Sequence, residues 1–432
     1  MSEIFLKQST PANPVAAEDL TATVSGILRE IEAGGEAAAL RLARKFDGWS
    51  GEIVVSDAAI EAACARVPQQ LKDDIAYAHD NIARFAEAQR ASMTDMQVEL
   101  RPGLIAGQKL IPVTSAGCYV PGGRYSHIAS AMMTVTTARV AGVPHIAAAS
   151  PPRADALAGI PDAILYTLHY CGAHRILAIG GVQGVAALAY GLFGLEPADI
   201  LVGPGNQFVA EAKRLLFGRT GIDMVAGPTD SMILADDSAD ALVVAMDLVG
   251  QAEHGPNSPV WLVTTSARLA EEVRRLVPTC AARLPEPNRG NAERAWDALG
   301  EIVLCDSFEA MAAYADRLGP EHLHVQAADL EWWRGRLRSY GSLFLGAETT
   351  VAFGDKAAGP NHVLPTTGAA RYTGGLSVQK FLKTVTWQTV TEQALPQLAA
   401  VTARISRHEG MEGHARTADI RLERLAQNAP KR

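Results

Sequence analysis

The stretch from His145 to Gly180 decides the fold, because it holds two short apolar runs separated by a helical pattern. The runs read His145-Ile-Ala-Ala-Ala-Ser150 and His174-Arg-Ile-Leu-Ala-Ile-Gly180. Between them, Ala154–Tyr170 predicts a helix, and only a few residues connect it to either run. Strand, helix and strand with short loops are typical of a parallel sheet covered by its connecting helices. The stretch therefore predicts an α/β fold.

The same alternation continues on both sides of this stretch. Further strands are predicted at Gln97–Leu100, Gln108–Pro112, Ile200–Gly203, Met232–Ala235, Val260–Thr264, Glu301–Cys305, Leu323–Gln326 and Gly341–Gly346. Helices are predicted at Ala16–Phe46, Asp57–Ala91, a segment ending near Gly142, Val182–Tyr190, Gln207–Phe217, Ala239–Glu253, Leu269–Leu276 and Phe308–Leu318. We infer two α/β units joined near residue 230, followed by a helical, charged tail from Val401.

The bulk composition excludes several classes of protein. The 432 residues predict two to three domains. A net charge of −8 with no long Lys/Arg block argues against nucleic acid or an anionic membrane as a partner. The N-terminus lacks a signal-peptide pattern, and the apolar runs are too short to span a bilayer. The five scattered cysteines indicate reduced thiols, which predicts a cytoplasmic protein and argues against a thiolate zinc site.

Four separate segments offer side chains for metal binding or proton transfer. Gln251 and His254 lie three residues apart at the end of a predicted helix, which puts them on one face. With Asp355 and His414 they provide nitrogen and oxygen ligands that suit zinc. The adjacent Glu321-His322 pair is suited to two proton transfers. The alternative is that these residues are surface, capping or exposed polar residues.

Glycine-rich turns follow several predicted strands and precede helices. They are Pro121-Gly-Gly-Arg124, Gly180-Gly-Val-Gln183-Gly184 and Gly203-Pro-Gly205-Asn206. Backbone N–H groups at the start of a helix attract phosphate. None of these turns matches G-x-G-x-x-G, so each is also compatible with an ordinary turn.

Several ordered motifs together resemble the histidinol dehydrogenase family, over a match from about Ala16 to Leu422. The motifs are Tyr119-Val-Pro-Gly-Gly123, Gly180-Gly-Val-Gln183, Gly203-Pro-Gly-Asn206, Gly221-Ile-Asp-Met-Val-Ala-Gly-Pro228, Gln251-Ala-Glu-His254, Pro320-Glu-His-Leu323 and Asn361-His-Val-Leu-Pro365.

The resemblance implies a zinc- and NAD-dependent oxidation of a small polar alcohol to a carboxylate, through an aldehyde and with two NAD in sequence. It implies one Zn²⁺ per subunit, with the ligands Gln251, His254, Asp355 and, from the partner subunit, His414. It implies Glu321 and His322 as the acid–base pair. The positions that match NAD contacts in the family are Tyr119, Gln183 and Asn206, and Glu409 matches a substrate contact.

The fold that the resemblance implies is an intertwined homodimer of two Rossmann-like parallel-sheet domains with small terminal extensions. We assign residues 1–15 to an N-terminal arm, 16–118 and 232–373 to a first Rossmann-like domain with the zinc and acid–base residues, 119–231 to a second, NAD-binding one, and 374–432 to a C-terminal helical domain that reaches the partner subunit.

The departures from the family pattern fall at substrate positions. Gly227-Pro-Thr229-Asp230 stands where histidinol dehydrogenases usually have Gly-Pro-Ser-Glu, whose Ser touches histidinol. This pattern resembles the sulfopropanediol 3-dehydrogenases, which oxidise 2,3-dihydroxypropane-1-sulfonate to sulfolactate. A sulfonate needs cationic or hydrogen-bonding donors, and Arg124, His127 and Arg371 are candidates. Two alternatives are a histidinol dehydrogenase that makes L-histidine and a non-catalytic dimer with a vestigial site. The candidate substrate-binding set is Thr229, Gln251, His254, His322, Asp355, Glu409, His414, Arg124, His127 and Arg371.

Overall fold

A computed structural model describes residues 3–10, 17–122, 127–225 and 227–428. The chain divides into two compact units. The first unit contains the chain up to Arg90 together with Val113–Phe381, and the second contains Ala91–Pro112 and the chain from Leu382 onward.

The described strands and helices alternate through most of the first unit. The strands are β1 Glu3–Lys7, β2 Met96–Arg101, β3 Leu104–Pro112, β4 Ser115–Tyr119, β5 His145–Ser150, β6 Arg175–Ala178, β7 Ile200–Val202, β8 Gly221–Ile222, β9 Ser231–Ala235, β10 Val260–Thr264, β11 Glu301–Cys305, β12 His322–Gln326, β13 Ser342–Leu345 and β14 Leu382–Val390. The α-helices are α1 Ala17–Leu42, α2 Asp57–Arg66, α3 Gln69–Ala91, α4 Ile128–Ala141, α5 Asp162–Cys171, α6 Gly181–Tyr190, α7 Gln207–Leu216, α8 Ala241–Ala252, α9 Ala267–Ala281, α10 Asn288–Leu299, α11 Phe308–Leu318, α12 Leu330–Arg336, α13 Val351–Lys356, α14 Leu395–His408 and α15 Glu412–Asn428.

Two parallel sheets of the first unit share one strand order. The five-stranded sheet has the order β6-β5-β4-β7-β8, and the six-stranded sheet has the order β1-β11-β10-β9-β12-β13. Apart from the antiparallel β1, every neighbouring pair in the six-stranded sheet is parallel. In each sheet the order of the parallel strands along the chain is third, second, first, fourth, fifth. This is a doubly wound arrangement, which confirms the predicted α/β class with parallel sheets.

The helices α1 and α2 pack with the five-stranded sheet and its helices, which differs from the predicted grouping of residues 16–118 with 232–373. Apolar residues of α1 share one core with α6, α7 and the five-stranded sheet. Val54 forms a bridge to Leu177 of β6. The predicted boundary at residue 118 falls inside β4, Ser115–Tyr119, which is the central strand of the same sheet. The sequence pattern did not separate these helices from the later ones, because helical periodicity does not say which sheet a helix covers.

The six-stranded sheet has a separate core on each face. One core lies under α8, α9 and α10, and the other lies under α11 and α12. The predicted N-terminal arm contains β1, which pairs with β11 through Glu3–Cys305 and Phe5–Val303.

Two helix predictions need correction. The helix predicted at Ala154–Tyr170 begins only at Asp162, since Pro161 occupies the N-cap position and Gly159 takes a left-handed φ of 79°. The helix α10 at Asn288–Leu299 was missed.

The second unit combines a three-stranded antiparallel sheet with two helices. Its strand order is β14-β3-β2, and β14 pairs with β3 from Leu382–Pro112 to Val390–Leu104. The helices α14 and α15 pack on each other through Ala399, Ala403, Ala415 and Ala418. The predicted helical C-terminal domain, residues 374–432, was therefore incomplete, because residues 91–112 supply two of the three strands of this unit.

None of the described helices has the length and apolar character that crossing a membrane requires.

Candidate active site

The candidate acid–base residues and the candidate metal ligands of the first unit meet at the amino-terminal edge of the six-stranded sheet. The strands β9 and β12 run side by side there, with Ser231 opposite His322. A connecting helix runs back along its parallel sheet, so it ends near the edge where the strands begin. The helices α8 and α13 end at this edge, where Asp355 of α13 lies beside His322. Segments distant in sequence thus contribute to one site.

Glu321 and His322 are held by reciprocal contacts with Asp230. The backbone N–H of Glu321 donates to Asp230 Oδ1 at 2.6 Å, and the backbone N–H of Asp230 donates to Glu321 Oε2 at 3.2 Å. His322 Nδ1 lies 3.2 Å from the Asp230 carbonyl oxygen and 3.7 Å from Glu321 Oε2. Glu321 is 6% exposed and His322 is 3% exposed. These contacts orient two buried titratable groups.

The surroundings raise the pKa of both members of this pair. Burial is the main cause for the Glu321 carboxyl; His322 opposes the rise and Asp230 adds to it. Burial alone would lower the pKa of His322, but the carboxylates of Glu321 and Asp355 outweigh burial and raise it. Neighbouring groups of this kind release their protons as a coupled pair.

The residues predicted as metal ligands within the first unit have the character that zinc requires. Burial lowers the pKa of the His254 imidazole, which favours the neutral, metal-binding form. Burial opposes ionisation of Asp355, but its contact with His322, with Nε2 3.5 Å from Oδ1, holds the pKa of Asp355 below its usual range. The Oε1 atom of Gln251 is buried without a hydrogen-bond partner. An orphaned buried acceptor beside an ionised carboxylate and a neutral imidazole fits a bound cation.

The fourth predicted ligand lies in the second unit. His414 is on α15 and is exposed, as is Glu409 at the end of α14. Within the described part of the chain, no three His, Cys, Asp or Glu residues form a group that could hold a metal. Gln251 binds through an amide oxygen and does not count toward a group of this kind. A third His or acidic ligand is therefore needed beside His254 and Asp355.

The residues that match NAD contacts lie at the carboxyl-terminal edge of the five-stranded sheet. Tyr119 ends β4, and its hydroxyl oxygen accepts a 2.9 Å hydrogen bond from the Gly181 N–H. Gln183 lies in the first turn of α6. Asn206 caps α7 by accepting from the Phe208 and Val209 N–H groups. In doubly wound sheets, this edge is where ligands bind.

Sequence reasoning missed Asp47, which supports this edge. Its Oδ2 atom accepts from the Gly180 N–H and from Gln183 Nε2, each at 3.0 Å. Asp47 ends a π-helical turn after α1. An acidic residue just after a long helix is too common to have been singled out by spacing.

The residues predicted to read the substrate have different surroundings in the structure. Arg124 lies outside the described residues. His127 immediately precedes α4, and burial, with Lys356, His362 and His254 nearby, lowers its pKa to about 4. Arg371 instead donates to the carbonyl oxygen of Arg317 at the end of α11, at 3.3 Å. Thr229 is half-buried beside Asp230.

A second missed residue is Lys356, which directly follows Asp355. Its ammonium group is exposed and lies close enough to lower the pKa values of His127, His254 and His362. Among the described residues, none forms a hydrogen bond or ion pair with the Lys356 ammonium group. A lysine beside a candidate metal ligand was a signal in the sequence, but it was not weighed.

Comparisons with known proteins give the class to which this fold and site correspond. The family model for histidinol dehydrogenase matches residues 11–422. A histidinol dehydrogenase homolog from Ruegeria pomeroyi is 68% identical over 98% of this chain and 97% of its own length. The sulfopropanediol 3-dehydrogenase of the same organism is 62% identical over 97% of this chain and 96% of its own.

A solved structure has the same fold. The crystal structure of histidinol dehydrogenase from Elizabethkingia anophelis matches with a TM-score of 0.89 and 31% identity, over 97% of this chain and 95% of that one. The chain is therefore an α/β oxidoreductase. It belongs to the histidinol dehydrogenase family.

Proposed function

We propose that the protein oxidises 2,3-dihydroxypropane-1-sulfonate to sulfolactate with zinc and two NAD. The 62% identity to a sulfopropanediol 3-dehydrogenase supports this substrate more than the 31% identity to a solved histidinol dehydrogenase supports histidinol. The reaction converts one primary alcohol, two NAD⁺ and one water into a carboxylate, two NADH and three protons.

The zinc ligands are Gln251, His254, Asp355 and the partner subunit's His414. The orphaned Gln251 oxygen and the neutral His254 support this assignment. A zinc ion held by these residues would supply a Lewis acid that polarises a substrate oxygen and helps to orient the substrate.

Glu321 and His322 carry the proton transfers. In the first oxidation the pair accepts the hydroxyl proton of the alcohol while a hydride leaves the same carbon. In the second, the pair accepts a proton from the water that adds to the aldehyde. NAD held beside Tyr119, Gln183 and Asn206 would supply the hydride acceptor for each oxidation. The reciprocal bonds to Asp230 keep the pair oriented, and burial reduces competition from bulk water.

The observation that carries the substrate assignment is the charge of Lys356. This ammonium group lies within electrostatic reach of three histidines of the site. It attracts a sulfonate and repels the ammonium group of histidinol. His127, which is neutral at physiological pH, adds a hydrogen-bond donor or acceptor but no charge.

Replacing Lys356 tests this assignment. We expect Lys356→Met to raise KM for the sulfonate about fivefold, equivalent to ~1 kcal/mol, because an exposed charge is screened by water. We expect kcat to change little and the effect to shrink as salt is added. Lys356→Arg keeps the charge and should preserve KM.

Lys72→Met is the matched control, because Lys72 lies over the Tyr166 ring. It should leave KM unchanged. An unchanged KM in Lys356→Met would remove the basis for the assignment. Efficient oxidation of L-histidinol with no oxidation of the sulfonate would favour the alternative substrate.

A further inference from the structure

A buried polar cluster lies in the core behind the candidate active site. It consists of Asp247, His324, Gln326 and Thr350. Asp247 Oδ2 accepts from Gln326 Nε2 at 2.8 Å, and Asp247 Oδ1 accepts from the Thr350 hydroxyl at 2.9 Å. The His324 side chain is 0% exposed and that of Asp247 is 13% exposed. Polar groups buried to this degree are costly unless they are paired, so the cluster needs a structural or functional reason.

The hydrogen bonds define the protonation of the cluster. His324 Nε2 lies 2.8 Å from the Gly346 carbonyl oxygen, which only accepts, so Nε2 carries the hydrogen. Burial lowers the pKa of His324 against the opposing charge of Asp247, which favours the neutral ring with Nδ1 as an acceptor. The amide nitrogen of Gln326 lies 3.4 Å from this Nδ1. It therefore donates one hydrogen to His324 and the other to Asp247.

Each member of the cluster lies on an element that carries a residue of the candidate active site. Asp247 is four residues before Gln251 on α8, so both are on one helix face. His324 and Gln326 share a face of β12 with His322, because side chains alternate along a strand. Thr350 is the residue before α13, which carries Asp355.

The hydrogen bond that the Thr350 hydroxyl makes supports this arrangement. A threonine before a helix usually accepts a bond from that helix. The side chain of Thr350 makes no such capping bond and donates to Asp247 instead. Thus one carboxylate of α8 joins both β12 and α13.

We propose that Asp247 is a positioning residue that sets the spacing of α8, β12 and α13 and thereby the geometry of the metal ligands. The inference rests on the proposed zinc site but not on the proposed substrate. Residues that orient metal ligands typically change metal affinity by 10–100-fold when replaced. Asp247→Asn should have an effect of this size, because it replaces one of the two accepting carboxylate oxygens with an NH2 group that can only donate.

The test measures Zn²⁺ affinity of the folded full-length protein by competition with a chromophoric chelator, without substrate. We expect Asp247→Asn and Thr350→Val to lose at least about tenfold in affinity. Thr350→Ser keeps the hydroxyl and should bind zinc like the wild type.

Asp236→Asn is the control for loss of a buried carboxylate. Asp236 is 8% exposed and accepts from the Ser238 and Ala328 N–H groups, each at 2.9 Å. It should keep the wild-type zinc affinity even if its thermal stability falls.

Wild-type zinc affinity in Asp247→Asn would overturn the proposal, as would an equal loss in Asp236→Asn. If Asp247→Asn does not fold, the zinc affinities of Thr350→Val and Thr350→Ser test the proposal instead. Equal zinc affinities of these two variants would overturn it. A wild type that binds no zinc would overturn both this inference and the zinc assignment. A wild type that binds zinc but ignores the sulfonate would leave this inference standing.

Discussion

Glu321 is only 6% exposed, and a buried carboxyl group holds its proton more tightly than a carboxyl group in water. Burial is the main reason why its pKa is raised to about 8. The oxidation needs a base to remove the hydroxyl proton. The base form of a group with a raised pKa is present above that pKa and is lost as the pH falls.

We therefore expect kcat for the sulfonate to rise as the pH increases from neutral through about 8. Glu321→Gln should lower kcat by about 10²–10⁴-fold, the usual contribution of a positioned base, and should remove this rise. Steady-state rates across this range with saturating NAD and substrate measure both effects. A flat wild-type profile, or full activity in Glu321→Gln, would contradict the assigned role.

Individual residues of the site differed in how far sequence alone could predict them. Glu321 and His322 were selected because adjacent acid and base groups suit proton transfer. The reciprocal bonds to Asp230, which explain their orientation, arise from pairing of β9 with β12 and are invisible in sequence. Arg371 was selected for its charge, but a charged side chain has many partners, and this one contacts the end of α11.

The loop after β7 depends on a buried ion pair that joins α7 to the segment after β8. Lys213 and Asp223 form this pair, with side chains 3% and 0% exposed. Lys213 Nζ donates to the Gly203 carbonyl oxygen at 2.9 Å, and the Gly203 N–H donates to Asp223 Oδ2 at 2.8 Å. Both backbone groups of Gly203 are thus fixed, which holds the turn that leads to Asn206.

Lys213→Met should reduce the free energy of unfolding by about 3–5 kcal/mol, because it leaves the Asp223 carboxylate buried and unpaired. Denaturant unfolding of the apo protein measures this change. Arg41→Met is the control, since the pair of Arg41 with Glu30 is exposed at 62% and 42% and should matter far less. Equal effects of the two substitutions would contradict the importance of the buried pair.

Strand and helix positions were largely predictable, and their grouping was not. The alternation around His145–Gly180 predicted β5 and β6 well, because both strands are short apolar runs. Proline and glycine displaced the start of α5 to Asp162. No local pattern indicated that α1 covers the five-stranded sheet, because that choice depends on contacts between distant residues.

The fourth proposed zinc ligand belongs to a different compact unit of the chain from the other three. Gln251, His254 and Asp355 belong to the first unit, and His414 belongs to the second. The resemblance to the family predicted that His414 acts in the partner subunit, and the predicted homodimer remains a proposal. The strands β2 and β3 were not predicted to join the C-terminal helices, and β14, which lies within the predicted C-terminal domain, was not predicted as a strand.

Mixing two inactive variants tests this shared site. In a mixed dimer of His414→Asn and Glu321→Gln, one of the two sites has all its residues intact. Random exchange should restore about a quarter of the wild-type activity, because half of the dimers are mixed and each has one intact site. Glu321→Gln mixed with His254→Ala should restore none, since these residues act in the same chain. Failure to recover activity in verified mixed dimers of the first pair would contradict the role of the partner's His414.

The end-point yield of NADH from limiting substrate tests the proposed function most directly. The zinc-loaded wild type, with excess NAD, should form two NADH for each molecule of 2,3-dihydroxypropane-1-sulfonate and should produce sulfolactate. It should form little NADH from L-histidinol under the same conditions. Absence of NADH formation from the sulfonate, together with two NADH for each L-histidinol, would contradict the account.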